Sequence, residues 1–166
     1  MEIINKNQRK SEIISSQKGL VSIIIPIYNG ESHLDELIEN LINQTYKKIE
    51  IITVNNDSSD NSLELLEELS KEKTPLRIFS NKKNEGYCGG CNKGIENACG
   101  EFLLFLSQDR IMNSDWIEKT VEEMNKNEKI GCVVGKVVRT GASSPEYGHS
   151  YDVYGAVLIN GSPEES

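Results

Sequence analysis

Val21-Ser22-Ile23-Ile24-Ile25-Pro26-Ile27-Tyr28-Asn29 is an apolar, β-branched run that ends in polar residues. With Leu20 it predicts a strand over Leu20 to Ile27, apolar on both faces, as in a parallel sheet covered by helices. Pro26 stands near its end, where a missing ladder donor matters least. Downstream, Leu34, Leu37, Ile38, Leu41 and Ile42 follow helical spacing. A second strand is predicted over Ile49 to Val54. Ser59, Asp60 and Asn61 then offer N-caps for a helix carrying Leu63, Leu66 and Leu69. Pro75 marks a break before a short strand, Leu76 to Phe79. A small-residue helix follows from about Cys88 to Ala98, then a strand from Phe102 to Leu106. Asp115 and Glu118 have capping-box spacing and open a helix with Trp116, Thr120, Val121 and Met124 inward. Further strands are expected over Ile130 to Val138 and Val153 to Ile159. This alternation implies an α/β fold with a mostly parallel sheet and right-handed crossovers. Residues 1–19 read as a polar arm, and 20–166 as one domain.

Composition narrows the function classes. A chain of 166 residues with 37% hydrophobic and 27% charged residues suits one soluble domain. A net charge of −8 argues against non-specific nucleic-acid binding, which needs a basic surface. It leaves room for a nucleotide ligand, whose phosphates backbone amides or a metal can carry. No apolar run approaches the roughly 20 residues that span a bilayer. Residues 1–18 lack the apolar core of a signal peptide. The expected location is the cytoplasm, and Cys88, Cys91, Cys99 and Cys132 are expected as free thiols.

Four segments carry the chemistry. The first is the opening strand, whose Tyr28 offers an aromatic face for a base. The second is Val54-Asn55-Asn56-Asp57-Ser58-Ser59-Asp60. Its strand end can present acceptors to a base or sugar, and an amide oxygen such as that of Asn55 can accept from a pyrimidine N3–H. Ser58, Ser59 and Asp60 are read as turn and cap. The third is Asn84-Glu85-Gly86-Tyr87-Cys88-Gly89-Gly90-Cys91-Asn92-Lys93-Gly94. Its glycines permit close backbone approach at a helix N-terminus that favours an anion, or else serve tight packing. Its C-x-x-C admits redox exchange or half a zinc site. Cys99, Cys132, His33 and His149 supply no second close pair, so packing is the preferred reading. The fourth is Ser107-Gln108-Asp109 after an apolar strand, where a carboxylate can ligate Mg²⁺ or Mn²⁺ between substrate phosphates. Arg110 can pair with Asp109 or reach a phosphate, and His33 reads as a surface or capping residue. Open α/β sheets bind ligands at the carboxyl ends of their strands, so these segments are expected to form one site.

Together the segments resemble glycosyltransferase family 2 and its three-layer, Rossmann-like GT-A fold, from about Leu20 to about Gly161. "VSIIIPIYNG" is similar to the family's first strand and base-binding loop. "VNNDSSDNS" is similar to its V-D-N/D-x-S-x-D segment, and "NEGYCGGCNKG" to its N-x-G-x-x-x-x-x-N-x-G pattern. "LLFLSQDR" stands where its metal motif stands, and "DWIEKTVEEM" resembles the helix that follows. "SQD" and "YDVYGAVLINGSP" look most like rhamnosyltransferase-type members.

The resemblance implies inverting transfer of a sugar from a UDP- or dTDP-linked donor to a saccharide or lipid-linked acceptor, as in polysaccharide biosynthesis. Pro26, Tyr28 and Asn29 would frame the base and Asn55 would read it. Asn84, Gly86, Asn92 and Gln108 would line the donor pocket, and Asp109 would hold Mg²⁺ or Mn²⁺. Three departures qualify it: Asn55 replaces a usual Asp, Ser107 replaces a frequent Asp or Asn, and the family's acceptor half and general base are expected beyond Ser166. Asp152, Glu146 and Glu164 match no base motif, so no catalytic residue is assigned. The departures admit an alternative, a non-catalytic nucleotide-sugar-binding or scaffold module. A thiol-redox protein using Cys88 and Cys91 is a third class. Apolar surface uncovered by a missing half would promote self-association, and peripheral membrane association is a further expectation.

Overall fold

The computed structural model describes residues 16–72 and 76–135, together with the backbone of 156–160. Four parallel strands form the body of the sheet: β1 (Gln17–Ile27), β2 (Ile49–Asn55), β3 (Leu76–Ser80) and β4 (Gly100–Leu106). Beyond β4 lie β5 (Cys132–Val134) and β6 (Ala156–Asn160), giving the order β3-β2-β1-β4-β6-β5. Strand β6 runs antiparallel to both β4 and β5. The helices are α1 (Glu31–Ile42), α2 (Ser62–Glu72), α3 (Gly86–Ile95) and α4 (Trp116–Met124).

Strand alternation sorts the core into two faces. Val21, Ile23, Ile25 and Ile27 of β1 are fully buried in one cluster with Leu34, Leu37, Ile38 and Leu41 of α1. Leu66 of α2 and Ile117 of α4 join the same cluster. Register places Ile49 and Ile51 of β2, and Phe102 and Leu104 of β4, on that face too. The other face is covered by α3, which packs on β1 and β2. A methyl group at Gly94 would lie 2.3 Å from Ile24 Cγ2, and one at Gly90 would lie 2.6 Å from Pro26 Cβ. Only glycine lets α3 lie this close to the sheet. The layers are therefore helices, mostly parallel sheet, helix, as the alternation of elements implied.

Several boundaries differ from expectation. Strand β1 begins at Gln17, whose amide donates to the Cys99 carbonyl, so three residues assigned to the arm belong to the sheet. Helix α3 begins two residues before Cys88 and ends at Ile95. The strand expected over Ile130 to Val138 is Cys132–Val134 among the described residues, and the last strand is Ala156–Asn160. Asp115 makes no side-chain cap to α4, because its carboxylate pairs with Lys119. Its supposed capping partner Glu118 instead accepts a 2.7 Å hydrogen bond from Thr45 Oγ1. Trp116 packs partly buried against the core as expected, and Ile117, which the periodicity did not name, is the fully buried residue of that turn. Asp60 does act as a cap, accepting from Ser62 N at the start of α2 and from Glu31 N at the start of α1. Burial alone would raise its pKa, but the hydrogen bonds from Ser62 and the Glu31 amide hold it below the usual carboxylate value.

Candidate functional site

Because β1, β2 and β4 run parallel, Tyr28, Asn56 and Ser107 all leave the sheet at its carboxyl edge. An open cleft of about 410 Å³ lies there. Its lining includes Pro26, Ile27 and Tyr28 at the end of β1, and Asn84, Gly86 and Tyr87 at the start of α3. His33 of α1, Asn56 after β2 and Ser107, Gln108 and Asp109 after β4 complete it. Tyr28 and Tyr87 are both about half exposed, at 47% and 49%, and so offer apolar faces to a ligand. Among the described residues its lining carries one carboxylate.

That carboxylate is Asp109. Ser107 Oγ donates to its Oδ1 at 2.7 Å, and Arg110 Nε lies 3.5 Å from the same oxygen. The Ser107 hydrogen bond, more than the nearby Arg110 charge, holds the Asp109 pKa below its ordinary value against the opposing effect of burial. His33, on the same lining, adds a smaller Coulombic effect of the same sign. Arg110 thus pairs with Asp109. No group of three or more His, Cys, Asp or Glu side chains converges among the described residues. One ionised carboxylate fits Mg²⁺ or Mn²⁺ held chiefly by a ligand's phosphates, not a preformed protein cage.

The expected site residues divide. Pro26, Tyr28, Asn84, Gly86, Gln108 and Asp109 meet at the cleft, and Asn29, Asn55 and Asn92 do not line it. Asn55 is 5% exposed, and its Oδ1 accepts from the Ser58 amide at 3.2 Å. The next residue, Asn56, faces the α3 side, donating to the Gly86 carbonyl at 3.1 Å and accepting from Asn81 at 2.7 Å. Asn29 adopts a positive φ of 49° and accepts from the Ser59 amide at 2.8 Å, joining the two loops. Asn84 Oδ1 accepts from Gly86 N at 2.8 Å and so shapes the entry to α3. Asn92 is exposed in the second half of α3. Gln108 bridges to the backbone of Tyr28: its Oε1 accepts from Tyr28 N at 2.9 Å and its Nε2 donates to Tyr28 O at 3.2 Å. Sequence reasoning missed His33, Asn56 and Tyr87. The available signal was position, since each is at a strand end or in the first turn of a helix that follows one. Asp152, Glu146, Glu164 and His149 lie outside the described residues.

The four cysteines are free. Cys91 is buried and Cys88 exposed, and burial raises the Cys91 pKa despite a hydrogen bond from Tyr87. Burial and the adjacent thiol push the Tyr87 phenol up to about 12. Burial and a raised pKa suit Cys91 as a packed thiol.

Among known proteins, an uncharacterised glycosyltransferase of Haemophilus influenzae is 41% identical over 111 residues, which is 67% of this chain and 34% of that protein. The uncharacterised glycosyltransferase EpsJ of Bacillus subtilis is 36% identical over 115 residues, 68% of this chain and 33% of EpsJ. The chain thus spans about a third of the length of these curated relatives. The fold is shared with S. aureus TarS residues 1–349 in complex with UDP (TM-score 0.67, 24% identity, 76% of this chain and 38% of that one). It is also shared with a Pyrobaculum calidifontis mannosyltransferase in complex with GDP-Man and Mn²⁺ (TM-score 0.67, 20% identity, 77% of this chain and 39% of that one). No helix among the described residues is long and apolar enough to cross a membrane. The profile of glycosyl transferase family 2 matches residues 22–163, and the chain belongs to that family.

Proposed function

We propose that this chain forms the donor site of an inverting glycosyltransferase that takes a sugar from a nucleoside-diphosphate sugar, UDP- or dTDP-linked, for a saccharide or lipid-linked acceptor. The observation that carries this reading is Asp109, an ionised carboxylate at the end of β4, on the same cleft as the N-terminus of α3. That pairing suits a diphosphate: amides at a helix start favour the anion, and a carboxylate-held divalent cation neutralises it. When bound, Mg²⁺ or Mn²⁺ would offset charge developing on the departing diphosphate. Tyr28 and Pro26 would frame the base, while Asn84 and Gly86 would border the ribose and phosphates. Asn29 and Asn55 would act from behind the lining, by holding the loops that carry it.

A second reading, a nucleotide-sugar-binding module without turnover, is favoured by one observation. Where the family usually has Asp, Asn55 is uncharged and its amide oxygen is committed to Ser58. Thermal unfolding with UDP-, dTDP- and GDP-sugars, with and without Mn²⁺ or Mg²⁺, tests the donor site. Ligand at about 100 times Kd should add about 2.7 kcal/mol, and a metal-dependent part of the shift should vanish in Asp109→Ala. No shift with any nucleotide sugar overturns the proposal. The two readings separate on a chain of the relatives' full length, about three times the matched span: transfer there excludes the second reading, and donor binding without transfer there favours it.

A further inference from the structure

We infer that Gln108 is a positioning residue, which fixes the β1–α1 loop and the Tyr28 ring at the mouth of the donor cleft through its own amide. The inference rests on the donor-site reading above and assigns Gln108 a different task from contact with the sugar or phosphates. Both ends of the side-chain amide are already engaged. Oε1 accepts from Tyr28 N at 2.9 Å and Nε2 donates to Tyr28 O at 3.2 Å, so the amide imitates one further strand residue pairing with Tyr28. The regular β1–β4 pairing reaches Ile24 and Phe105, so the side chain continues the junction past the last backbone pair.

A second observation concerns the space beneath the amide. A methyl group at Gly30 would lie 2.9 Å from Gln108 Oε1 and 3.0 Å from Cδ. A side chain at residue 30 would therefore push against the amide, and glycine leaves it in place. The rest of the turn is tied to the loop after β2 and the start of α2. Asn29 N donates to Ser58 Oγ at 3.1 Å, Gly30 N donates to Ser62 Oγ at 2.9 Å and Asn29 Oδ1 accepts from Ser59 N at 2.8 Å, while Gln108 ties Tyr28 to the loop after β4. The neighbour of Gln108 in sequence is Asp109, so the same short loop holds the aromatic wall and the carboxylate in register. Without the clamp, the ring and the carboxylate move independently, and a ligand must order both.

Gln108→Leu, alone and in a Tyr28→Ala background, distinguishes this role from contact with the ligand. A residue that acts through Tyr28 loses its effect once the ring is gone, so the two losses should not add. The experiment measures the Kd of UDP, dTDP and GDP with Mn²⁺ for the full chain, and the Tyr28 backbone amide is followed by NMR in parallel. For Gln108→Leu we expect about tenfold weaker binding, equivalent to about 1.4 kcal/mol, and a shifted Tyr28 amide. In the Tyr28→Ala background the same substitution should change Kd by less than about twofold. Gly30→Ala, which keeps the glutamine, should weaken binding and shift the same amide. A wild type that binds, with additive losses in the double variant or a Tyr28 amide that Gln108→Leu leaves in place, overturns the inference. A wild type that binds none of the three nucleotides overturns the donor-site reading and the donor-positioning role with it. The amide signal then still reports whether the clamp exists.

Discussion

Ser107 and Asp109 form the most consequential pair at the scale of single residues. The serine hydroxyl is the leading reason the carboxyl titrates low, so Ser107→Ala should raise the Asp109 pKa toward its ordinary value. A carboxyl NMR titration measures this directly, and an unchanged pKa would exclude the hydroxyl as the cause. The sign for stability follows from linkage. Asp109 has a folded pKa below its unfolded one, so its contribution is present above the unfolded pKa and is lost as pH falls through the folded pKa. The stability gap between wild type and Ser107→Ala should therefore be present near neutral pH and close in acid. Much of this site was legible as residue types: polar side chains directly after apolar strands mark the edge, and Asp109 was found that way. Which of two adjacent residues faces the cleft was not. Asn55 and Asn56 differ by one step of the pleat, and one step reverses the face. The Gln108 clamp was also hidden, because its partner Tyr28 is 80 positions away and nothing in local spacing marks it.

At the scale of elements, α3 is defined by what it lacks. Gly94→Ala should gain about 1 kcal/mol in helix propensity. It must also place a methyl 2.3 Å from the fully buried Ile24, and overpacking of that kind costs about 1–3 kcal/mol. We expect the second effect to prevail, with a net loss of stability in urea unfolding, and a stabilised variant would show that α3 can lift off the sheet. Strand periodicity and the apolar stripes of α1 and α2 were readable because burial follows them. Helix starts were less so. Gly86 has a φ of 72° and opens α3 where glycine content alone suggested a later start. Asp115 and Glu118 have the spacing of a capping box, but Lys119 and Thr45 compete for their carboxylates.

Across the whole molecule, the two ends of the sheet are built differently. The carboxyl edge opens into the cleft. The amino edge is tied by Glu50, 8% exposed, which accepts from Ser22 Oγ at 2.6 Å, Cys99 N at 2.7 Å and Arg77 Nη1 at 2.8 Å. Gly100 N donates to the same serine at 2.8 Å, so β1, β2, β3 and β4 meet in one satisfied network. Glu50→Ala leaves these donors without their acceptor, at about 1–3 kcal/mol for each one that stays buried. The partly exposed Arg77 regains water and contributes at the low end. We expect a lower melting temperature with nucleotide affinity unchanged; a matching loss of affinity would show that the two ends are coupled. Fold class was legible because chain order fixes alternation, and the family resemblance covers most of the chain. The place of β6 between β4 and β5 was not, since it depends on pairing between distant segments. The separation of the two ends has a practical outcome for directed evolution. Libraries randomised at Tyr28, Asn84 and Tyr87 sample new ligands on a scaffold whose tie lies elsewhere, so most members should remain folded. Randomising Ser22 or Glu50 would consume that tolerance before any new specificity could be selected.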